Sequence, residues 1–220
     1  MEQNVKIMTH IVSTKRLSSG KYVDLSNLSI DDIDIEDISR SLNYIYRFTG
    51  HWKDREPLTV AEHTMLVVQL CENLFPDDLE TKLDCVIHDF PESYTGDVAT
   101  PLKKLFGQAF KDYEGAIEDI IYAKFYTPVI GHELTKETYE KRKICDLLAL
   151  DIERRAIWSD PKGKQHWPEI PMESVLKRDE KTSLYRKIKQ YSYDNRGINL
   201  IRMYESTVEQ IKNEREANGF

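Results

Sequence analysis

Four side chains stand out for the chemistry that their types allow: His63, the adjacent pair His88-Asp89, and Asp146. Imidazole nitrogens and carboxylate oxygens are ligands for Zn, Mn, Fe, Co or Ni, and two of each leave coordination positions open for water and substrate. Such a set is catalytic in type rather than structural. The His88-Asp89 dipeptide closes the apolar stretch Lys82-Leu83-Asp84-Cys85-Val86-Ile87 and is followed at once by Phe90 and Pro91. Successive strand residues point to opposite faces, whereas neighbours in the last turn of a helix can converge on one ion. Asp146 lies among Cys145, Leu147, Leu148 and Leu150, so its carboxylate is expected to be at least partly buried and to need a partner or a metal. Pairing with Lys143, one turn earlier, is the other reading.

The elements that must position these groups read as helices. Ile35, Ile38, Leu42 and Ile45 repeat at three- and four-residue steps, which predicts a helix from about Asp34 to about Arg47. Phe48-Thr49-Gly50-His51-Trp52 then breaks it, and Lys53 to Glu56 before Pro57 reads as a loop. Thr59-Val60-Ala61-Glu62 is a capping box ahead of an apolar run, which puts His63 in the first turn of a second helix. Asp77-Asp78 opens a third, Leu79 to Phe90, ended by Pro91. Gly96-Asp97 lies in a loop, Pro101 starts the next helix, residues 108–126 form another, and Thr135 begins a long one carrying Asp146 to about Trp158. Residues 1–28 read as an irregular or hairpin-like start turning at Ser18-Ser19-Gly20-Lys21; Ser159 to Pro171 as a surface loop; and residues 172–190 and Ile198 to Glu214 as closing helices. No repeat, low-complexity tract or linker divides the chain. The expected architecture is therefore all-α, a single domain over residues 1–220 with a helical bundle as its body.

Composition narrows the function. The net charge of -7 argues against a broad nucleic-acid footprint, though not against a small anionic substrate held by a few focused cations. No apolar stretch approaches the roughly 20 residues of a membrane span, and the first residues lack the apolar core of a secretory signal, so a cytoplasmic location without membrane attachment is expected. Cys71, Cys85 and Cys145 sit in apolar helical contexts without CxxC spacing and read as buried free thiols rather than disulfides or a zinc knuckle.

The order H…HD…D on successive helices resembles the metal-binding motif of the HD-domain phosphohydrolase superfamily. Further segments add to the likeness: Ile35-Glu36-Asp37-Ile38, Arg47-Phe48-Thr49-Gly50-His51, Val60-Ala61-Glu62-His63, His88-Asp89-Phe90-Pro91-Glu92, Gly96-Asp97-Val98 and Pro101-Leu102-Lys103. Together they resemble the YfbR-like branch over about residues 17–158, and within it the phage dATP triphosphohydrolases (DatZ-like). The resemblance implies metal ligation by His63, His88, Asp89 and Asp146 through a divalent transition metal (Zn, Co or Mn), with Mg accompanying a triphosphate. It implies hydrolysis of a deoxynucleotide at the α-phosphate, dATP giving deoxyadenosine and triphosphate, with a 5′-deoxynucleotidase acting on monophosphates as the alternative and a non-catalytic nucleotide sensor as a further one. Glu92 matches the acid/base position, against a solvated loop carboxylate; Asp97 also matches a family position, against a simple Asx turn.

A triphosphate needs several cations, and Arg47, Lys103 and Lys143 are the candidates. Phe48 could wall in the base; His51 and Trp52 lie nearby, either at the site or anchoring the loop. Glu153-Arg154-Arg155 also fits the phage pattern and reads as structural. The resemblance further implies a homo-oligomer, located in the host cytoplasm if the chain is phage-encoded.

Overall fold

The computed structural model describes residues 13–51, 57–158, 170 and 175–219. Its secondary structure is helical apart from one two-stranded antiparallel hairpin, β1 (Thr14–Arg16) and β2 (Tyr22–Asp24), with Lys15 opposite Val23. The helices, in chain order, are α1 (Ile35–Leu42), α2 (Val60–Leu74), α3 (Leu79–Ile87), α4 (Glu92–Thr95), α5 (Thr100–Phe106), α6 (Gln108–Phe125), α7 (Thr127–Ile130), α8 (Lys136–Trp158), α9 (Arg178–Asn195) and α10 (Leu200–Ala217). This is the all-α architecture expected. Among the described residues no helix is long and apolar enough to cross a membrane.

The centre is a packed trio, α2, α3 and α8, each touching the other two, with α10 laid on α3 and α9 on α2 and α8. α2 starts where its capping box dictates: Thr59 Oγ1 accepts from the Glu62 N–H at 3.2 Å and the Glu62 carboxylate accepts from the Thr59 N–H at 2.9 Å. Lys189 of α9 adds donations to both Glu62 oxygens, at 2.9 and 3.0 Å, which ties α9 to the same helix start. Side chains fully removed from water, among them Leu66, Leu70, Leu83, Ile87 and Leu148, fill the space between the three helices.

Several boundaries differ from those expected, α9 among them, which runs Arg178–Asn195 where the sequence predicts a helix over residues 172–190. α1 stops at Leu42 rather than near Arg47, because Asn43 turns its amide to the Ser39 and Ile198 carbonyls at 2.7 and 2.9 Å. Ile45 and Arg47 then pair with the approach to α2, through Val60 N–H to Ile45 C=O and Arg47 N–H to Leu58 C=O, both at 2.9 Å. α3 ends at Ile87, with His88 as its C-cap. The stretch after Pro91 is not loop but the single turn α4. Of the expected surface loop Ser159 to Pro171 only Ile170 is described, and it is buried; Trp52 and Trp167 lie outside the described residues.

Candidate metal centre

His63 is carried inward by the capped first turn of α2 and is fully buried. His88 caps α3, its N–H bonded to the Asp84 carbonyl at 3.0 Å, and the turn that follows swings Asp89 to the same side. Ligand atoms of His63, His88 and Asp89 all lie within 4.8 Å of one another. His63 Nε2 is 3.5 Å from Asp89 Oδ2 and 3.3 Å from Asp146 Oδ1; His88 Nε2 is 3.3 Å from Asp89 Oδ1. Asp146 takes the Lys143 ammonium on Oδ2 at 2.6 Å, the pairing reading, while Oδ1 faces His63; it is not one of the three residues whose ligand atoms all lie within 4.8 Å of one another.

Tautomers follow from what the outer nitrogens meet. His88 Nδ1 is 2.9 Å from the Cys85 carbonyl, and His63 Nδ1 is 2.6 Å from Glu153 Oε1. Both partners accept, so both Nδ1 atoms carry a hydrogen and both Nε2 atoms point into the cluster, each offering a lone pair to a cation once it carries no proton. His63 Nε2, His88 Nε2 and Asp89 Oδ2 are buried with no hydrogen-bond partner among the described residues. Three such atoms facing one another would cost roughly 1–3 kcal/mol each if left unsatisfied, and a divalent cation between them satisfies all three. The residues therefore fit a metal.

The charges agree. Burial and the nearby Arg47 push the His63 pKa down, but Glu153 and Asp146 outweigh them and hold it at about 10. Burial pushes His88 down, against Asp89. Burial would raise Asp89, yet His88, His63 and Arg47 keep it below its ordinary value, and His63, Lys143 and His88 do the same, more strongly, for Asp146. A proton on His63 and a metal cation are alternative ways of neutralising the same carboxylates.

Glu92, the first residue of α4, is 6% exposed, which removes the solvated-loop reading, and its Oε2 is buried and unpartnered. Burial, then the negative Asp89 and Asp97, push its pKa well above the usual carboxylate range, against Arg47 and Lys103. Asp97 does not close an Asx turn. Its carboxylate accepts from the Phe48 N–H at 2.8 Å and lies 3.4 Å from Arg47 Nη1. There it fixes a left-handed turn, with Phe48 at φ 57° and Thr49 at φ 56°, whose two non-glycine residues cost roughly 1–3 kcal/mol each. Arg47 Nη2 reaches Glu153 Oε2 at 3.5 Å, and its guanidinium lies 5.6 Å from the Phe48 ring centroid.

Of the remaining candidates, Lys103 and Lys143 are brought near but are already engaged. Lys103 of α5 pairs with Glu114 at 2.5 Å; burial lowers its pKa, but Glu114 first, then Glu92 and Asp89, hold it up, which places it within the field of the site. Lys143 is spent on Asp146. His51 is exposed, with its backbone N–H on the Phe48 carbonyl at 3.1 Å.

Glu153 is the residue that sequence reasoning undervalued. It is fully buried and bridges His63 to Arg47, whereas Arg154 and Arg155 turn to Asp151, as structural residues do. The available signal was spacing, since Glu153 follows Asp146 by two helical turns and shares its face. Asp84, also buried, holds Arg142 Nε at 3.2 Å and accepts from the Tyr122 hydroxyl beneath His88. Nothing in its neighbourhood in the sequence marks that role.

No family model matches the chain. An uncharacterized protein of Rhodobacter capsulatus is 31% identical over 117 residues, which are 53% of this chain and 60% of that protein, so the chain spans less than two thirds of that relative. The uncharacterized protein YfdR of Escherichia coli K12 is 33% identical over 150 residues, 68% of this chain and 74% of YfdR. The chain belongs to the same family as YfdR.

Proposed function

We propose that this member of the YfdR family is an HD-domain, metal-dependent phosphohydrolase that cleaves a deoxynucleotide at the α-phosphate, with dATP giving deoxyadenosine and triphosphate. One observation carries the reading: His63 Nε2, His88 Nε2 and Asp89 Oδ2 converge, buried and without a hydrogen-bond partner among the described residues, beside a buried carboxyl group at Glu92. His63, His88, Asp89 and Asp146 would hold the ion, which when bound supplies Lewis acidity at the phosphoryl group and an acidified water.

The rest falls to the chain itself. In the reaction the P–O5′ bond breaks, the water oxygen ends on the α-phosphorus, and the departing 5′-oxygen takes a proton. Glu92, whose pKa is raised by burial and by the neighbouring Asp89 and Asp97, would carry that proton. Glu153 and the Cys85 carbonyl orient the two imidazoles, and Arg47, clamped by Asp97 and Glu153, offers positive charge at the wall of the site.

A second reading, a 5′-deoxynucleotidase acting on monophosphates, is favoured by the engagement of Lys103 with Glu114 and of Lys143 with Asp146, which commits both ammonium groups to carboxylates rather than to outer phosphates. Product identification separates the two. Metal-restored protein is incubated with each deoxynucleoside mono- and triphosphate: inorganic triphosphate supports the first reading, orthophosphate from monophosphates alone the second. Lys103→Ala should slow only triphosphate cleavage. Absence of hydrolysis in the whole panel contradicts both and leaves the nucleotide-sensor reading.

A further inference from the structure

The helices that assemble His63, His88 and Asp146 also assemble a second cluster, made only of sulfur. Cys71 of α2, Cys85 of α3 and Cys145 of α8 are the chain's three cysteines; all are free, and all have 0% exposure. Their sulfur atoms lie within 4.8 Å of one another. Cysteine as a small core hydrophobe has no need of other cysteines, so convergence from three separate helices asks for another explanation than packing. Three sulfurs bound at about 2.3 Å to one central ion would stand about 4 Å apart, so only a small contraction turns the present triad into a coordination site.

The donor set and its surroundings select the ion. Sulfur alone, without an imidazole or carboxylate in the cluster, favours a thiophilic centre over the harder metals suited to His63, His88 and Asp89. All three cysteines belong to the hydrophobic core, where a net charge is costly. Three thiolates around a monovalent or divalent ion leave negative charge there, whereas three thiolates around a trivalent centre cancel.

We propose that Cys71, Cys85 and Cys145 form a second site that takes up one trivalent thiophilic centre of the arsenite class through three sulfur bonds. The exchange balances without redox change: three As–O bonds break, three As–S bonds form, and each thiol proton leaves with a hydroxide as water.

The test uses full-length protein with arsenite, added both to the native protein and during refolding from urea so that burial of the triad does not block access. The expected result is one arsenic per chain with three sulfur neighbours by X-ray absorption, and loss of all three thiols to a thiol-counting reagent. His63→Ala should bind arsenite as the wild type does, which separates this site from the proposed metal centre. Cys71→Ala, a position outside that centre, should weaken binding at least tenfold. No bound arsenic under either condition, arsenic with oxygen or nitrogen neighbours, or equal binding by Cys71→Ala would overturn the proposal; the X-ray absorption result decides it on wild-type protein alone if the variant does not fold.

Discussion

His63 is divided between two tasks by its two nitrogens: Nδ1 is committed to Glu153 at 2.6 Å, and that commitment aims Nε2 at Asp89 and Asp146. Glu153 is therefore a positioning residue, and Glu153→Ala should lower metal affinity about 10- to 100-fold, measured by competition with a chelator of known strength. The role proposed for Glu92 is of a different kind. Glu92→Gln is expected to keep its metal content while the turnover rate falls about 10²- to 10⁴-fold, as loss of a proton-transfer group does; an unchanged rate would remove Glu92 from the chemistry. At this scale the sequence was informative wherever residue type alone limits the options. His, Asp and buried-context carboxylates mark candidate ligands, but a glutamate that bonds a histidine looks like any other glutamate in a charged helix segment until the helix face is known.

Elements were legible where local chemistry sets them and illegible where the rest of the fold does. The Thr59 and Glu62 capping box formed as read, and Thr59→Ala should cost about 1 kcal/mol, visible in thermal or urea unfolding. The end of α1 was misplaced because Ile45 continues the helical apolar spacing while its backbone serves another purpose, accepting from Val60 at 2.9 Å. Nothing local to Phe48 and Thr49 marks them for left-handed backbone either; Asp97, far along the chain, imposes it.

The small hairpin and the turn beside it give the clearest pH dependence. Lys21, first by hydrogen bond, and Ser29 hold the Asp32 carboxyl at about 2. Its folded pKa lies below its unfolded value, so its contribution is present above the ordinary value of 3.8 and is lost as pH falls toward 2. The carboxylate is only partly buried and its ammonium partner lies at the surface, so the effect should be small. Asp32→Asn should remove that increment from an acid titration of stability, leaving the remainder of the curve intact.

Across the whole molecule, the turn that carries His88 and Asp89 is braced from behind by aromatic side chains. Phe90 is fully buried and meets Phe125 edge-on with centroids 5.7 Å apart, and Phe125 meets Tyr204 of α10 at 5.4 Å. Phe90→Ala should cost about 3–5 kcal/mol, and because Phe90 follows Asp89 directly it should also loosen the metal centre. The all-α class was readable from periodicity, whereas the packing that brings α2, α3 and α8 together, and with them both the ligands and the cysteines, depends on contacts remote in sequence. The central claim is that this packing builds a hydrolytic metal centre, and one measurement tests it most directly: release of deoxyadenosine and triphosphate from dATP by metal-depleted protein after restoration of Mn, Co or Zn, beside Asp89→Asn treated identically. Hydrolysis that returns with the ion in the wild type and stays absent in Asp89→Asn is the expected result; wild-type protein that hydrolyses no deoxynucleotide with any of these ions, or an Asp89→Asn variant as active as the wild type, would contradict it.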